Sequence, residues 1–388
     1  MRVLISGAGI AGLTLALCLE STGHSCTLVE KSGASRSGGY MLDFFGTGYD
    51  VAERLGLLPD LAAVHRAING LSFLDSRGRE KFALSYSAMR KIFYNRHFNF
   101  LRGDLEHVLY SKVKDRAQFR FSTTVTSFVQ DSSGVTAVLS DGSEFRADVI
   151  VGADGFHSGI RALLLGEESR FTRFLGYNTA AFMLSGLPSD LSADSFSMIA
   201  APSRQVALYP TGDGKLATFF VYRAEKPPRH LHGPEALLEL RSAFSHMGWI
   251  VPDLFNQVEP GSLFFDQVAQ VELPHWSNGR VILLGDACYA VSLIAGQGAS
   301  LAMAGAYLLA QKLHSFSGDV ASASAFYENR LRRPIEKKQL AARKFAGWFV
   351  PASSDRLFLR DLIMRFSRYA LFRPVLRHSF SSESVFQG

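Results

Sequence analysis

The stretch that decides the fold runs from Arg2 to Glu30 and reads RVLISGAGIAGLTLALCLESTGHSCTLVE. It begins as a short apolar strand, turns through the pattern GxGxxG, continues as an apolar helix and ends in a second strand, Ser25 to Glu30. A strand, glycine turn, helix and strand in this order open a doubly wound parallel sheet. The sequence therefore predicts an α/β fold that begins with a Rossmann-like unit.

The glycine turn predicts a dinucleotide site. Its three glycines allow a tight turn, close approach of the backbone to a pyrophosphate and close packing of helix on strand. The helix N-terminus adds free N–H groups and the positive end of its dipole. Glu30 can accept hydrogen bonds from ribose hydroxyls and would repel a 2′-phosphate, which favours FAD or NAD over NADP as the tightly held dinucleotide. We assign to this site Gly7, Gly9, Ala11, Gly12, Glu30 and Lys31.

Composition bounds the class of protein. The chain has 388 residues, of which 47% are hydrophobic and 20% are charged, so it can bury a large core and should form two or three domains. Its formal net charge of +6 is too small to indicate a nucleic-acid partner. Three cysteines without a CxxC pair argue against a disulfide framework and a zinc site, and they favour a reducing compartment.

Two uncharged stretches imitate export or membrane signals. Val3 to Leu19 resembles a signal peptide, but three glycines interrupt it and Leu17 is too large for the residue before a cleavage site. Ala287 to Gln311 is long enough to span a bilayer, but Gly296-Gln297-Gly298 stands in its middle. We therefore expect a cytoplasmic protein that does not associate with a membrane.

Two further motifs follow predicted strands. Asp154 to Arg161 reads DGFHSGIR, which matches the pattern DGxxSxxR. A buried strand, Arg280 to Leu284, runs into Gly285-Asp286, and a GQG tripeptide, Gly296 to Gly298, comes ten residues later. One complete GxGxxG is present, so the sequence predicts a single dinucleotide fold.

Together, the three motifs resemble those of the single-component FAD monooxygenases of the aromatic hydroxylase class, which have the p-hydroxybenzoate hydroxylase fold. The resemblance covers roughly residues 1 to 320. It implies a discontinuous FAD-binding domain (1–72, 101–175 and 273–321), an inserted β-rich substrate-binding domain (73–100 and 176–272) and a C-terminal helical extension (322–388).

The resemblance also implies cofactor contacts. Arg102 matches the arginine that opens the helix facing the flavin, with a surface charge as the alternative, and Asp286 matches the aspartate at the ribityl and pyrophosphate region. Asp154 matches the acid of a motif linked to FAD and NADPH, although a purely structural pair with Arg161 is the alternative. The corner Gly298-Ala299-Ser300 starts a helix whose N–H groups can face the flavin pyrimidine and stabilise the anionic reduced ring.

A narrower resemblance is to the tetracycline-inactivating monooxygenases, the tetracycline destructases. It is carried by Gly38 to Asp43, which reads GGYMLD, by Gly56-Leu57, and by a helix added after the family's usual end. In that group the added helix lies over the substrate entrance, which implies the same place for a helix predicted over residues 354–372. Three residues depart from the wider family's His, Pro and Asn, namely Tyr289, Leu293 and Ser300.

The implied chemistry belongs to the flavin rather than to protein side chains. NADPH reduces FAD, O₂ adds at the flavin C4a, and the hydroperoxide gives one oxygen to an electron-rich ring or enol. The protein excludes water and places a polycyclic phenolic or enolic antibiotic, so we expect no catalytic side chain and no metal site. A polyketide tailoring hydroxylase, a membrane-associated flavin reductase and a ligand-sequestering protein are the alternatives.

Four residues are candidates for substrate contact. Asp43 could bond a polar substrate group, with a simple loop turn as the alternative. Phe182, Met198 and Phe220 lie on predicted strands of the inserted domain and could line a pocket, with core packing as the alternative for each. Four glycines would give the loop beside the flavin the freedom that movement of the ring needs, namely Gly38, Gly39, Gly46 and Gly48.

The C-terminal region is predicted to hold two helices. A long helix from residue 322 ends at Phe349, Pro351 breaks the chain, and a second helix runs from Ser354 to Phe372. We expect this second helix to dock on the body with its apolar side down, and a membrane-surface helix is the alternative. Its arginines share one face, namely Arg356, Arg360, Arg365 and Arg368. We expect the protein to be a monomer.

Overall fold

The structure is a computed structural model that describes residues 1–34, 39–86, 95–189, 191–228, 231–259 and 261–366. Its strands are β1 (Arg2–Ser6), β2 (Ser25–Glu30), β3 (Met41–Phe45), β4 (Gly70–Leu74), β5 (Glu80–Ser85), β6 (His97–Leu101), β7 (Gln118–Phe121), β8 (Val125–Gln130), β9 (Val135–Leu139), β10 (Glu144–Ala147), β11 (Val149–Gly152), β12 (Thr172–Leu184), β13 (Ser195–Ala201), β14 (Arg204–Pro210), β15 (Leu216–Arg223), β16 (Phe264–Val271), β17 (Ser277–Asn278) and β18 (Val281–Leu283). Its helices are α1 (Ile10–Glu20), α2 (Thr47–Arg54), α3 (Leu58–Ala63), α4 (Arg102–Val113), α5 (Gly159–Leu165), α6 (Gly233–Phe244), α7 (Val251–Leu254), α8 (Asp286–Tyr289), α9 (Gly298–Ser315), α10 (Val320–Phe349) and α11 (Ser354–Phe366).

The first glycine motif lies at the centre of a six-stranded sheet with the strand order β17-β18-β11-β1-β2-β7. β1 pairs in parallel with β2 and β11, so that Leu4 lies between Thr27 and Ile150. α1 is apolar on every side, and it is buried because it contacts this sheet, α4 and α9. The predicted α/β fold with a Rossmann-like opening is confirmed.

A seven-stranded sheet forms the inserted region, with the order β16-β12-β15-β14-β13-β4-β5. Neighbouring strands are antiparallel except for β13 and β4, which are parallel. The sheet begins at Gly70 and takes in β12 from Thr172, so it extends a few residues beyond the predicted domain ranges. β3 and β6 pair with each other as a two-stranded sheet, and β8, β9 and β10 form a three-stranded one.

The two faces of the seven-stranded sheet have different neighbours. Phe220 packs with Phe182 and Phe244 in a core that α6 and α7 contribute to. Phe219, the preceding residue, joins a different apolar cluster, which includes Ala346 of α10. Successive side chains of a strand point to opposite faces, so this sheet separates a helix-covered core from the face that α10 and β3 approach.

The C-terminal helices lie near the predicted positions. α10 begins at Val320 and continues through Pro334 to Phe349. α11 begins at Ser354 and contacts β5 and β13 of the seven-stranded sheet. The rest of the predicted second helix, with Arg368, lies outside the described residues. None of the helices within the described ranges is long and apolar enough to cross a bilayer.

The orientation predicted for α11 was wrong. Its buried residues are Arg360 and Asp361, whereas Phe358 is 69% exposed. Arg360 donates from Nη1 to Gln205 Oε1 at 2.7 Å and from Nη2 to Asp361 Oδ1 at 2.8 Å, and Asp361 also pairs with Lys81. Buried charges must be paired, so this polar cluster fixes the docked face of α11 and leaves its apolar face exposed.

Candidate functional site

The glycine turn after β1 is held by close backbone contacts. Gly7 has φ +104°, and a Cβ at this position would lie 2.4 Å from the carbonyl oxygen of Ala153. A Cβ on Gly12 would lie 2.0 Å from the carbonyl oxygen of Gly7. Both positions therefore require glycine. Gly9 caps α1 without a side-chain hydrogen bond, so the first N–H groups of the helix face the space in front of the turn.

A cavity of ≈ 310 Å³ opens beside this turn, and Glu30 and Lys31 line it. Glu30 stands at the end of β2, and its two carboxylate oxygens accept hydrogen bonds from the backbone N–H groups of Ala8 and Ser32, each at 2.9 Å. The turn therefore fixes a carboxylate next to the helix N-terminus, which is the arrangement that a ribose and its pyrophosphate require.

Arg102 lines the same cavity from the first turn of α4. Its Nη2 lies 2.9 Å from Glu106 Oε1, and its backbone N–H donates to the carbonyl oxygen of Tyr40 at 3.0 Å. Burial lowers the pKa of Arg102. The nearby acidic groups outweigh this effect and raise the pKa overall, namely Glu106, Tyr40, Asp286 and Glu30. Arg102 is thus a guanidinium held among acidic groups, and the alternative of a surface charge is set aside.

The DGxxSxxR motif places Asp154 at the cavity and Arg161 beneath it. Asp154 accepts a hydrogen bond from Ser158 Oγ at 2.5 Å, and burial raises its pKa. Arg161 is fully buried and donates from Nη2 to Glu168 Oε2 at 2.9 Å and from Nη1 to the carbonyl oxygen of Ala287 at 3.1 Å. The ion-pair partner of Arg161 is therefore Glu168, not Asp154 as the structural alternative supposed.

The third motif brings Asp286 beside the N-terminus of α9. A Cβ on Gly298 would lie 3.6 Å from Asp286 Oδ1, and burial raises the pKa of Asp286 while Arg102 opposes this shift. Ala299 follows Gly298 in the first turn of α9, and Ser300 donates to the carbonyl oxygen of Phe45 at 3.2 Å. The first turn of α9, Gly298-Ala299-Ser300, thus contacts β3 on one side and Asp286 on the other.

The glycines predicted to loosen the flavin-side loop differ in role. Gly39 and Gly46 have positive φ, at +104° and +62°. A Cβ on Gly48, in contrast, would lie 2.6 Å from Ser300 Oγ, so this glycine serves close packing of α2 on α9. Gly38 lies outside the described residues.

These groups fit FAD. Two helix N-termini without side-chain caps, those of α1 and α9, can face the pyrophosphate and the anionic reduced ring. Glu30 can bond the ribose, and Arg102 and Asp286 lie close enough to influence each other between the two helix ends. Among the described residues, no group of His, Cys, Asp and Glu side chains could hold a metal ion.

A second cavity of ≈ 200 Å³ lies between β3, β6 and the seven-stranded sheet. Among its lining residues in the described chain, one is charged, Asp43, and most of the others are apolar or aromatic. Gly296, the first residue of the GQG tripeptide before α9, also lines the cavity. The cavity therefore lies next to the predicted flavin position. The lining consists of Tyr40, Met41, Leu42, Asp43, Ile68, Leu71, Tyr86, Asn99, Phe196, Met198, Ala207, Tyr209, Phe219, Leu293, Ile294, Gly296 and Phe349.

Two of the four predicted substrate residues line this cavity, Asp43 and Met198. Phe182 and Phe220 do not, because they point into the core on the other face of the sheet. Phe219 takes the place predicted for Phe220, since neighbours on a strand face opposite sides. The other lining residues were missed, and the one available signal was Asn99, a polar residue between two phenylalanines of β6.

Asp43 anchors a polar corner of the second cavity. Asn99, its cross-strand neighbour, donates from Nδ2 to Asp43 Oδ1 at 2.5 Å, and the Tyr86 hydroxyl donates to the same oxygen at 3.0 Å. His97 Nε2 lies 3.4 Å from this oxygen. Burial raises the pKa of Asp43, but the hydrogen bonds from these three partners and the charge interaction with His97 outweigh burial and lower the pKa overall. The cavity is thus built to keep a carboxylate ionised.

Comparison with known proteins agrees with this geometry. Residues 1–338 match the family model described as FAD binding domain. The chain belongs to this FAD-binding family. A flavin-dependent monooxygenase from an unknown prokaryotic organism is 29% identical over 342 residues, which cover 87% of this chain and 87% of that protein. An uncharacterized protein of Mycobacterium tuberculosis is 30% identical over 352 residues, covering 87% and 91%.

Among solved structures, the crystal structure of tetracycline destructase Tet(55) matches this FAD-binding family member with a TM-score of 0.80 and 26% identity, covering 97% of both chains. Together with the relatives, this similarity confirms the predicted family and enzyme class. The protein is a FAD-dependent monooxygenase of the aromatic hydroxylase type, structurally close to tetracycline destructases.

Proposed function

We propose that this monooxygenase uses NADPH and O₂ to hydroxylate, and so inactivate, a polycyclic phenolic or enolic antibiotic of the tetracycline class. The observation that carries the proposal is the second cavity. Its described lining combines aromatic side chains with one carboxylate, and it includes Gly296 of the GQG tripeptide. The similarity to tetracycline destructase Tet(55) supports the same substrate class.

The protein's own residues bind the cofactor, orient the substrate and keep water away from the reacting atoms. FAD, when bound, supplies the electron transfer and oxygen insertion that side chains cannot perform. The turn from Gly7 to Gly12 would hold the pyrophosphate, and the N-terminus of α9 would stabilise negative charge on the reduced ring. The apolar walls of the second cavity would keep water from the reacting atoms, while Asp43 orients a polar group of the substrate.

NADPH is proposed as a transient co-substrate rather than a resident cofactor. The chain has one complete GxGxxG motif, and that motif lies at the cavity assigned to FAD. The acid at Glu30 disfavours a 2′-phosphate there, so NADPH would have to approach from elsewhere. A monomeric, cytoplasmic enzyme without a membrane partner remains part of the proposal.

The test uses FAD-loaded protein with NADPH, air and tetracycline, and mass spectrometry of the drug. The proposal predicts a product heavier by one oxygen atom, formed only when all components are present. A Gly12→Val variant, in which the side chain would collide with the Gly7 carbonyl, serves as the matched protein without cofactor. Intact drug alongside continued NADPH oxidation would contradict the antibiotic substrate and favour a tailoring hydroxylase acting on another polycyclic phenol.

A further inference from the structure

The two oxygens of Asp43 have different environments. Oδ1 accepts from Asn99 and Tyr86 and lies near His97 Nε2. No hydrogen bond from any described residue reaches Oδ2. The side chain is 62% exposed although it lies inside the protein, and the space that it faces is the second cavity. Asp43 is therefore fixed through one oxygen and presents the other to a ligand.

Towards the cavity, Asp43 meets no opposite charge in the described part of the chain. Among the described residues that line the cavity, none is basic. His97 lies behind the carboxylate, with its Nε2 3.4 Å from Oδ1, and its side chain is 1% exposed, so it does not face the cavity. A carboxylate oxygen that faces an apolar lining, with no basic residue among the described ones, favours a ligand that brings a positive charge.

The rest of the cavity determines the shape of that ligand. Phe196 and Tyr209 pack edge to face with ring centroids 4.0 Å apart, which gives one rigid aromatic wall. Met198 and Phe219 line the cavity from neighbouring strands of the same sheet. Aromatic and apolar walls around one charged residue suit a fused-ring system that carries a positive charge at one end.

We propose that the second cavity recognises a protonated amine on a flat polycyclic ligand through Asp43 Oδ2. This inference rests on the proposed function and specifies its substrate class, because it requires the polycyclic substrate to carry a basic nitrogen. The same carboxylate repels planar aromatic carboxylates, which find no basic partner among the described residues of this cavity. Asp43 therefore acts as a specificity-determining residue and not as an acid or base in the reaction.

The test measures equilibrium binding to the FAD-loaded protein by fluorescence. One ligand pair is tetracycline and 4-de(dimethylamino)tetracycline, which differ by the amine. The other pair is 9-aminoacridine, a planar cation, and acridine-9-carboxylate, a planar anion. Wild-type protein is expected to prefer the amine-bearing member of each pair by about 10-fold or more, as a direct charge-assisted contact predicts. Asp43→Asn, which keeps the shape of the side chain, is expected to abolish both preferences.

Asp253→Asn is the matched control, because it removes an exposed carboxylate on α7, on the other side of the seven-stranded sheet. It should leave both preferences unchanged, and FAD content should be equal in all three proteins. An undiminished preference in Asp43→Asn, or no preference in the wild type, would overturn the inference. Asp43-dependent binding of 9-aminoacridine without any binding of tetracycline would uphold the inference and contradict the proposed antibiotic substrate.

Discussion

The two cavities of this molecule are built in opposite ways. The first cavity, which we call the cofactor cavity, begins with a turn of six residues, Gly7 to Gly12. At Gly7 and Gly12 other backbone atoms lie too close for any side chain. The second cavity, which we propose binds the substrate and call the substrate cavity, is lined by side chains that come from positions as far apart as Tyr40 and Phe349. Backbone geometry imposes a local sequence pattern, whereas side-chain walls accept many combinations. A single substitution in the turn should therefore abolish cofactor binding, whereas single substitutions in the lining of the second cavity should change ligand affinity only in part.

The largest effect is expected for Gly12→Val. A Cβ at this position would lie 2.0 Å from the Gly7 carbonyl oxygen, so the turn cannot keep its shape. FAD content, read from the flavin absorbance after gel filtration, should fall by about 10-fold or more. Gly70→Ala is a suitable control because its Cβ would make an ordinary contact, 3.5 Å from the Leu84 carbonyl oxygen. Normal FAD content in Gly12→Val would remove the turn from the cofactor site.

Phe220→Ala should have the next largest effect, on stability. Phe220 is fully buried and stacks on Phe182 with ring centroids 5.3 Å apart. Removing a buried phenyl ring leaves a cavity and costs about 3–5 kcal/mol in the free energy of unfolding. The measurement is denaturant unfolding of the FAD-loaded protein. A loss below about 1 kcal/mol would mean that this face of the sheet is not a packed core.

Phe219→Ala should weaken ligand binding, whereas Phe220→Ala should leave the affinity for the ligand unchanged. Phe219 contributes to the wall of the substrate cavity one residue before Phe220. We expect the Kd of tetracycline to rise by about 10-fold, which corresponds to about 1.4 kcal/mol, with unchanged FAD content. The neighbouring variant, Phe220→Ala, provides the comparison. The assignment of the two faces would be reversed if Phe220→Ala changed the Kd and Phe219→Ala did not.

The smallest effect is expected from His157, which bridges the cofactor domain and the seven-stranded sheet. Its Nε2 lies 3.0 Å from Asp266 Oδ2 and its Nδ1 lies 3.0 Å from Glu168 Oε1, and these bonds raise its pKa from 6.5 to about 9. A raised pKa stabilises the folded state fully below pH 6.5, and this contribution is lost as the pH rises through about 9.

His157→Gln therefore tests this bridge through the pH dependence of stability. The side chain is 41% exposed, so the contribution should be below about 1 kcal/mol. The difference in Tm between wild type and variant should shrink between about pH 6 and pH 9.5. A difference that stays constant over this range would show that the charged imidazole is not what stabilises the bridge.

Sequence alone could predict the cofactor cavity because its requirements are local. Gly7, Gly12 and Glu30 stand at fixed separations along one strand-helix-strand unit, and the structure places them around one cavity or in the turn that forms it. Arg102 and Asp154 needed the family resemblance, since nothing in the surrounding sequence shows that they meet. A short motif thus predicts the backbone-built part of a site, and similarity to known proteins supplies the remainder.

Sequence alone could not predict the substrate cavity for two physical reasons. β15 is buried from Leu216 to Tyr222, so apolar residues occupy both faces and no alternation shows which phenylalanine faces the cavity. The docked face of α11 was predicted from its apolar residues, but the partners of Arg360 and Asp361 are distant in sequence, on β14 and β5. The local sequence does not show which side chains of a strand buried on both faces point to which face. It also does not show an ion cluster whose members are far apart in the chain.

FAD in the first cavity is proposed to deliver oxygen to a substrate in the second. The most direct measurement supplies FAD-loaded protein with NADPH, tetracycline and isotopically heavy O₂, and follows the mass of the drug. We expect a product that carries one heavy oxygen atom and that is lost in Gly12→Val. A product whose added oxygen comes from water, or unchanged drug while NADPH is consumed, would contradict this transfer of oxygen.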